Sequence, residues 1–380
     1  MTATTPRLTE DDCRLEDLVA VLAARTDPAD FPYAADVVRE VLIYDAAALR
    51  AAPDRGAVQA ELVRALTAGP GLVVFRGAYA ETAVVDRVTA AFDAIIAEER
   101  AAGGVAGDHF ATPGANDRVW NALEKLAVRD PGGFVDYYAN DIVALVCDAW
   151  LGPGYQVTSQ VNVVRPGGRA QDPHRDYHLG FLSNEQAARF PEHVHRLSPV
   201  LTLQGAVAHT DMPVESGPTM YLPHSHRYVP GYLAWRRPEF RDHFLENFVQ
   251  LPLSKGDAAF FNPALFHGAG SNVSPDIQRM ANLLQVSSAF GRAMETVDRS
   301  RVVRAVYPAL LARSRAGLPV GEAVAAAAEG YPFPTDLDRD VPVDGPTPPS
   351  QADLVHRALA AGTDPAELAR ELTAYEHRHR

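Results

Sequence analysis

The chain has 380 residues, 47% hydrophobic and 22% charged, with a formal net charge of −13. That acidic balance excludes a nonspecific hold on nucleic acid or anionic membrane, while leaving room for arginines that line a pocket. Cys13 and Cys147 form neither a disulfide framework nor a zinc-ligand spacing, the opening residues lack a basic-then-apolar leader, and no apolar run is long enough to span a bilayer. A soluble, cytoplasmic protein is therefore expected.

Residues 1–35 are polar, punctuated by Pro and Asp, and read as peripheral. Asp54–Ala68 carries Val58, Leu62 and Leu66 at intervals of four, a helical period, and Gly69-Pro70-Gly71 stops it. Leu72–Phe75 is a short buried strand, and Val84/Val85, Val88, Phe92 and Ile95/Ile96 mark an amphipathic helix over 81–100. Residues 101–118 form a loop rich in Gly, Ala, Asp and Asn. It reads as a substrate-facing lid or as a plain surface loop ending in a helix cap at Asn116 or Asp117. Phe134–Leu151 is again helical.

After Gly152-Pro153-Gly154 the segments become short, β-branched and separated by turns. Strands are predicted over Tyr155–Val164, Pro199–His209, Thr219–Leu222, Phe248–Leu253, Ala258–Asn262 and Leu283–Phe290. The pattern predicts one domain: a mainly β core over about 155–291, with a helical region over 36–151 before it and a helical extension over 293–380 after it. Within that extension, 331–350 holds six prolines and reads as an extended linker, and Thr363-Asp364-Pro365 starts a last helix. A jelly roll or barrel suits such a strand count.

The chemistry centres on His174-Arg175-Asp176. On a strand, residues i and i+2 share a face, so His174 and Asp176 reach one point while Arg175 points away. His267, in a strand that leads into Gly268-Ala269-Gly270, would complete two histidines and one carboxylate, the facial set of non-heme iron oxygenases. A His-x-Asp match is weak evidence alone, since a surface charge pair or a core histidine explains it, and His209-Thr210-Asp211 is a second one. Arg279, twelve residues beyond His267, could grip a carboxylate with two parallel hydrogen bonds. Two other readings stand beside the oxygenase: a metal-dependent hydrolase using His174, Asp176 and His178 around a metal-bound water, and a non-enzymatic jelly-roll binding module.

From residue 70 to 290 the chain resembles the phytanoyl-CoA dioxygenase family, iron(II)- and 2-oxoglutarate-dependent oxygenases that include ectoine hydroxylase. The resemblance runs through Gly71–Gly77 and the helix after it, Pro173-His174-Arg175-Asp176, Glu215-Ser216-Gly217-Pro218 to Pro223-His224-Ser225-His226, Lys255-Gly256-Asp257, His267 and Arg279. It implies a double-stranded β-helix (jelly roll) with flanking helices. It implies iron on His174, Asp176 and His267, and 2-oxoglutarate chelating that iron and paired with Arg279. O2 would be consumed and succinate and CO2 released. It assigns the metal to His174 and Asp176 rather than to His209 and Asp211, and makes Gln160 and Asn162 polar positions facing 2-oxoglutarate. Halogenases of this kind replace the carboxylate by a small residue, so Asp176 favours hydroxylation or a related oxidation over halogenation. His224 stands where the family has Gly, which puts the positive-φ geometry of that loop at a cost. Alternation and loop position add Tyr177, His178, Thr202, Gln204, Phe110 and Trp120 as candidates for lining the pocket of a small-molecule substrate.

Overall fold

A computed structural model describes residues 7–102, 116–342 and 345–379. Ten strands are found among them: β1 (Asp36–Val38), β2 (Val41–Asp45), β3 (Leu72–Arg76), β4 (Asn116–Val119), β5 (Gln156–Val164), β6 (Thr202–Ala208), β7 (Thr219–Leu222), β8 (Ala258–Phe261), β9 (Phe266–Ala269) and β10 (Arg279–Ser287). Eight of them form one sheet in the order β1-β2-β3-β8-β6-β10-β5-β4, and β7 pairs with β9 in a second. The large sheet is antiparallel except for the parallel β2–β3 pair.

Period-two alternation splits the large sheet into two faces. Val157, Val161 and Val163 of β5, Leu203 and Val207 of β6, Phe260 of β8 and Leu284 and Val286 of β10 join the main apolar core. That core also holds Val85, Val88 and Phe92 of the helix Thr82–Ala101, and residues from Pro131–Tyr138, Asp141–Leu151 and Arg299–Arg315. The intervening positions, Gln160, Asn162, Gln204, Ala206, Ala259, Phe261, Arg279, Ala281 and Gln285, turn to the other face and line a cavity. The smaller sheet lies on that side. Met220 and Leu222 of β7 and Phe266 of β9 pack against Tyr228, Phe240 and Phe244, away from the large sheet's core.

The helical region expected over 36–151 also supplies strands β1 to β4, all within the large sheet. Its helices are present, with a break in the predicted Phe134–Leu151 helix: Asn140 accepts from Ile142 and Val143 N–H and caps a new one. The predicted strand Phe248–Leu253 is reduced to two isolated bridges, Val249 to Tyr221 and Leu253 to Met212. Within 331–350, residues 331–342 and 345–349 carry no helix or strand, as the prolines predict. The helices Gln351–Ala361 and Pro365–His379 follow. Among the described residues, no helix is long and apolar enough to cross a membrane.

Candidate metal centre

His174 and His267 meet because their backbones pair. His174 N–H donates to His267 O at 2.8 Å and His267 N–H returns to His174 O at 3.1 Å. Asp176 N–H donates to Pro263 O at 3.2 Å, a further backbone bond between the two segments. The side chains of His174, Asp176 and His267 then converge, with one ligand atom from each lying within 4.8 Å of the others. His174 Nε2 is 3.7 Å from Asp176 Oδ1, and His267 Nε2 is 3.3 Å from Asp176 Oδ2.

Each imidazole is oriented from behind. His174 Nδ1 lies 2.9 Å from Asp172 O, and His267 Nδ1 lies 2.9 Å from Leu265 O, in both cases the carbonyl two residues earlier. A carbonyl only accepts, so Nδ1 carries the hydrogen and donates, and each Nε2 lone pair is left facing the centre, the arrangement of a metal-ligating histidine. Gln204 Nε2 donates to Asp176 Oδ2. The rings of Trp235 and Phe261 meet His174 and His267 at 6.4 Å and 4.7 Å.

Burial works against charge on Asp176, yet the two imidazoles outweigh it and hold the carboxyl well below the usual carboxylate range. Burial also works against protonation of His174, but Asp176 reverses this and raises its pKa. His267 is lowered, by burial and then by the charge of His174. The carboxylate thus calls for positive charge between the imidazoles, which a divalent cation meets without a proton.

The centre opens into a cavity of about 690 Å³. Arg279 lines it, 5% exposed, and among the described residues its guanidinium has no carboxylate partner. Burial pushes its pKa down to about 10, so it is still a cation at neutral pH. Gln160 and Asn162 line the cavity too. Gln160 Oε1 accepts from Arg118 Nη1 at 2.6 Å, and Asn162 Oδ1 is buried with no hydrogen-bond partner among the described residues. Trp120 and Gln204 are also in the wall.

Three predicted lining residues fall outside it. Tyr177 and His178 have φ of 63° and 40°, so the chain turns into the short helix His178–Phe181 and the strand-like alternation stops at Asp176. His178 Nδ1 meets Ser198 Oγ at 3.0 Å, and His178 lies outside the metal-competent group, so the His174/Asp176/His178 centre does not form. Thr202 shares Gln204's face but pairs with Ser287 at the far end of β6 and β10, beyond the cavity. Phe110 lies outside the described residues, as does most of the loop read as a lid.

The second His-x-Asp is structural. His209 is 2% exposed, with Nδ1 2.8 Å from Thr89 Oγ1 and Nε2 3.0 Å from the Tyr137 hydroxyl. Asp211 accepts from Lys255 N–H. His224 does adopt the left-handed geometry (φ 68°), braced by contacts of Nδ1 to Gly69 O and Nε2 to Thr26 Oγ1. Neither His224 nor His226 lines the cavity.

Gln285, Arg118, Phe181 and Trp235 line the cavity without having been singled out in the sequence. Counting by twos from Arg279 along β10 reaches Gln285, so that residue was within reach. Trp235 sits between two short helices and carried no periodic signal.

Residues 68–281 match the family model for phytanoyl-CoA dioxygenase. The chain belongs to the phytanoyl-CoA dioxygenase family. Solved structures similar to this family member include AviO1 from Streptomyces viridochromogenes Tue57, at 19% identity over 64% of this chain and 99% of that one, with a TM-score of 0.45. The non-heme alpha ketoglutarate dependent carbocyclase SnoK from nogalamycin biosynthesis is 21% identical over 64% of this chain and 90% of its own, with a TM-score of 0.44. The corresponding epimerase SnoN is 19% identical over 61% and 82%, at 0.41. No curated protein matches the sequence.

Proposed function

We propose that this member of the family is an iron(II)- and 2-oxoglutarate-dependent dioxygenase that hydroxylates a small molecule. The observation that carries the reading is the turning of both Nε2 atoms onto Asp176 while each Nδ1 is held by its own backbone. Two imidazole nitrogens and one carboxylate suit ferrous iron and leave further positions for a chelating co-substrate. When bound, iron and 2-oxoglutarate supply the activation of O2, and 2-oxoglutarate leaves as succinate and CO2.

The protein supplies position and dryness. His174, Asp176 and His267 hold the metal. Gln204 holds one carboxylate oxygen of Asp176 in place. Arg279, charged and without a carboxylate partner among the described residues, pairs with the distal carboxylate of 2-oxoglutarate, and Gln160 and Asn162 stand along the same wall. The remaining cavity, whose wall includes Trp120, Phe181 and Trp235, takes the substrate and excludes bulk water. We place the two sheets in the double-stranded β-helix (jelly-roll) class, with flanking helices belonging to one oxygenase domain of a cytoplasmic protein.

Anaerobic titration tests the reading. Adding 2-oxoglutarate to the Fe(II)-loaded protein is expected to raise a visible metal-to-ligand charge-transfer band, which His267→Ala removes. A featureless spectrum from protein that retains its iron would contradict it.

A further inference from the structure

Arg175, the middle residue of His174-Arg175-Asp176, is 2% exposed and has no carboxylate partner among the described residues. Its Nη2 donates to Ser225 O at 2.6 Å and to Tyr228 O at 2.8 Å. Its guanidinium sits between two rings, 5.2 Å from Tyr232 and 4.8 Å from Phe266. Room for it depends on a glycine, since a Cβ at Gly231 would lie 2.0 Å from Arg175 Cζ. The chain is equally tight on the backbone side, where a Cβ at Gly180 would lie 2.1 Å from Arg175 O.

The partners of this side chain lead to the other half of the metal centre. Ser225, whose carbonyl accepts from Arg175, uses its hydroxyl to accept from Phe266 N–H at 2.8 Å. Phe266 immediately precedes His267 and stacks on Arg175. One fully buried serine therefore joins the segment of His174 and Asp176 to the segment of His267. A buried guanidinium is an expensive way to fill space, because its desolvation needs compensation from carbonyls and ring faces. A methionine would fill similar volume without that cost. What the guanidinium adds is a fixed direction.

We infer that Arg175 is a positioning residue that clasps the His174/Asp176 segment to the 225–232 segment and thereby sets the geometry of the three metal ligands. The inference rests on the metal reading above. Because Arg175 points away from the metal, its effect passes through its neighbours. Loss of an outer partner of a metal ligand typically weakens metal affinity about 10–100-fold, and the clasp is expected in that range.

Full-length protein, stripped with a chelator, is titrated with Co(II) while the d–d spectrum of the bound ion is recorded, and thermal melting of the stripped protein is measured alongside. Arg175→Met is expected to melt near the unsubstituted protein, to bind Co(II) about 10–100-fold more weakly and to show an altered d–d spectrum. Gly231→Ala, which displaces the guanidinium and leaves its charge, is expected to do the same. Arg175→Lys, with one donor group in place of a fork, recovers part of the affinity. If Arg175→Met does not fold, Arg175→Lys and Gly231→Ala decide, and unweakened Co(II) binding in both overturns the inference. Arg175→Met with unchanged affinity and spectrum overturns the inference alone. Failure of the unsubstituted protein to bind Co(II) overturns the metal reading together with it.

Discussion

Asp176 is held from three directions: by His174, by His267 and by the side-chain amide of Gln204. Replacing Asp176 or either histidine by alanine removes a ligand and is expected to abolish 2-oxoglutarate turnover. Gln204→Leu keeps the ligand but frees its oxygen, and is expected to weaken metal binding about 10-fold, measured by calorimetric titration. Arg279→Ala is expected to act on a different quantity. A hydrogen bond to a charged group contributes about 1.5–3 kcal/mol, so the 2-oxoglutarate requirement rises about 10–150-fold while iron binding is unchanged. The convergence of His174 and Asp176 was legible in the sequence because i and i+2 share a face for as long as a segment stays extended. His178 was misplaced by the same rule, because positive φ at Tyr177 and His178 ends the alternation at Asp176. Gln204 was read as a substrate contact. A glutamine on a cavity face gives no sign in sequence that its partner is a carboxylate on another segment.

Between elements, Gly205 shows how β6 lies against β8. A Cβ there would meet Phe260 Cδ1 at 2.4 Å, so the Phe260 ring occupies the space a side chain would need. Gly205→Ala is expected to destabilise the fold by about 1–3 kcal/mol, read from the midpoint of urea unfolding, because overpacking forces the ring aside. The central strands were readable because β5, β6 and β10 are long and alternate cleanly, although β10 starts at Arg279, four residues before the predicted Leu283. The edge pair β1 and β2 was not, since β1 has three residues and β2 is almost wholly buried, without an amphipathic period. The 248–253 segment had strand composition, yet it makes only single bridges with its neighbours. Composition reports what a segment can bury, while pairing depends on which strands the topology sets beside it.

Across the whole molecule, acid stability follows from the decoy motif. Burial lowers the pKa of His209 from the ordinary 6.5 to about 3. Above 6.5 both folded and unfolded chains carry it neutral, and its contribution is intact. As pH falls from 6.5 toward 3 only the unfolded chain takes up the proton, so stability declines through that window. At pH 5 the loss from this residue is about 2 kcal/mol, from 1.5 pH units at 1.36 kcal/mol each. Comparing denaturant unfolding at pH 7.5 and pH 5 is expected to show that His209→Gln removes this share of the slope. Family membership was visible in motif order from residue 70 to 290. The identity of the substrate was not, because the cavity wall is assembled from strands of both sheets, the short helix His178–Phe181 and the Trp235-Arg236 connection, whose convergence only the fold reveals. The most direct test of the central claim is succinate release by purified protein given ferrous iron, 2-oxoglutarate and O2. Slow succinate formation is expected even without the true substrate, abolished in His174→Ala, Asp176→Ala and His267→Ala. Iron-replete protein that forms no succinate, or forms it equally in all three variants, would contradict it.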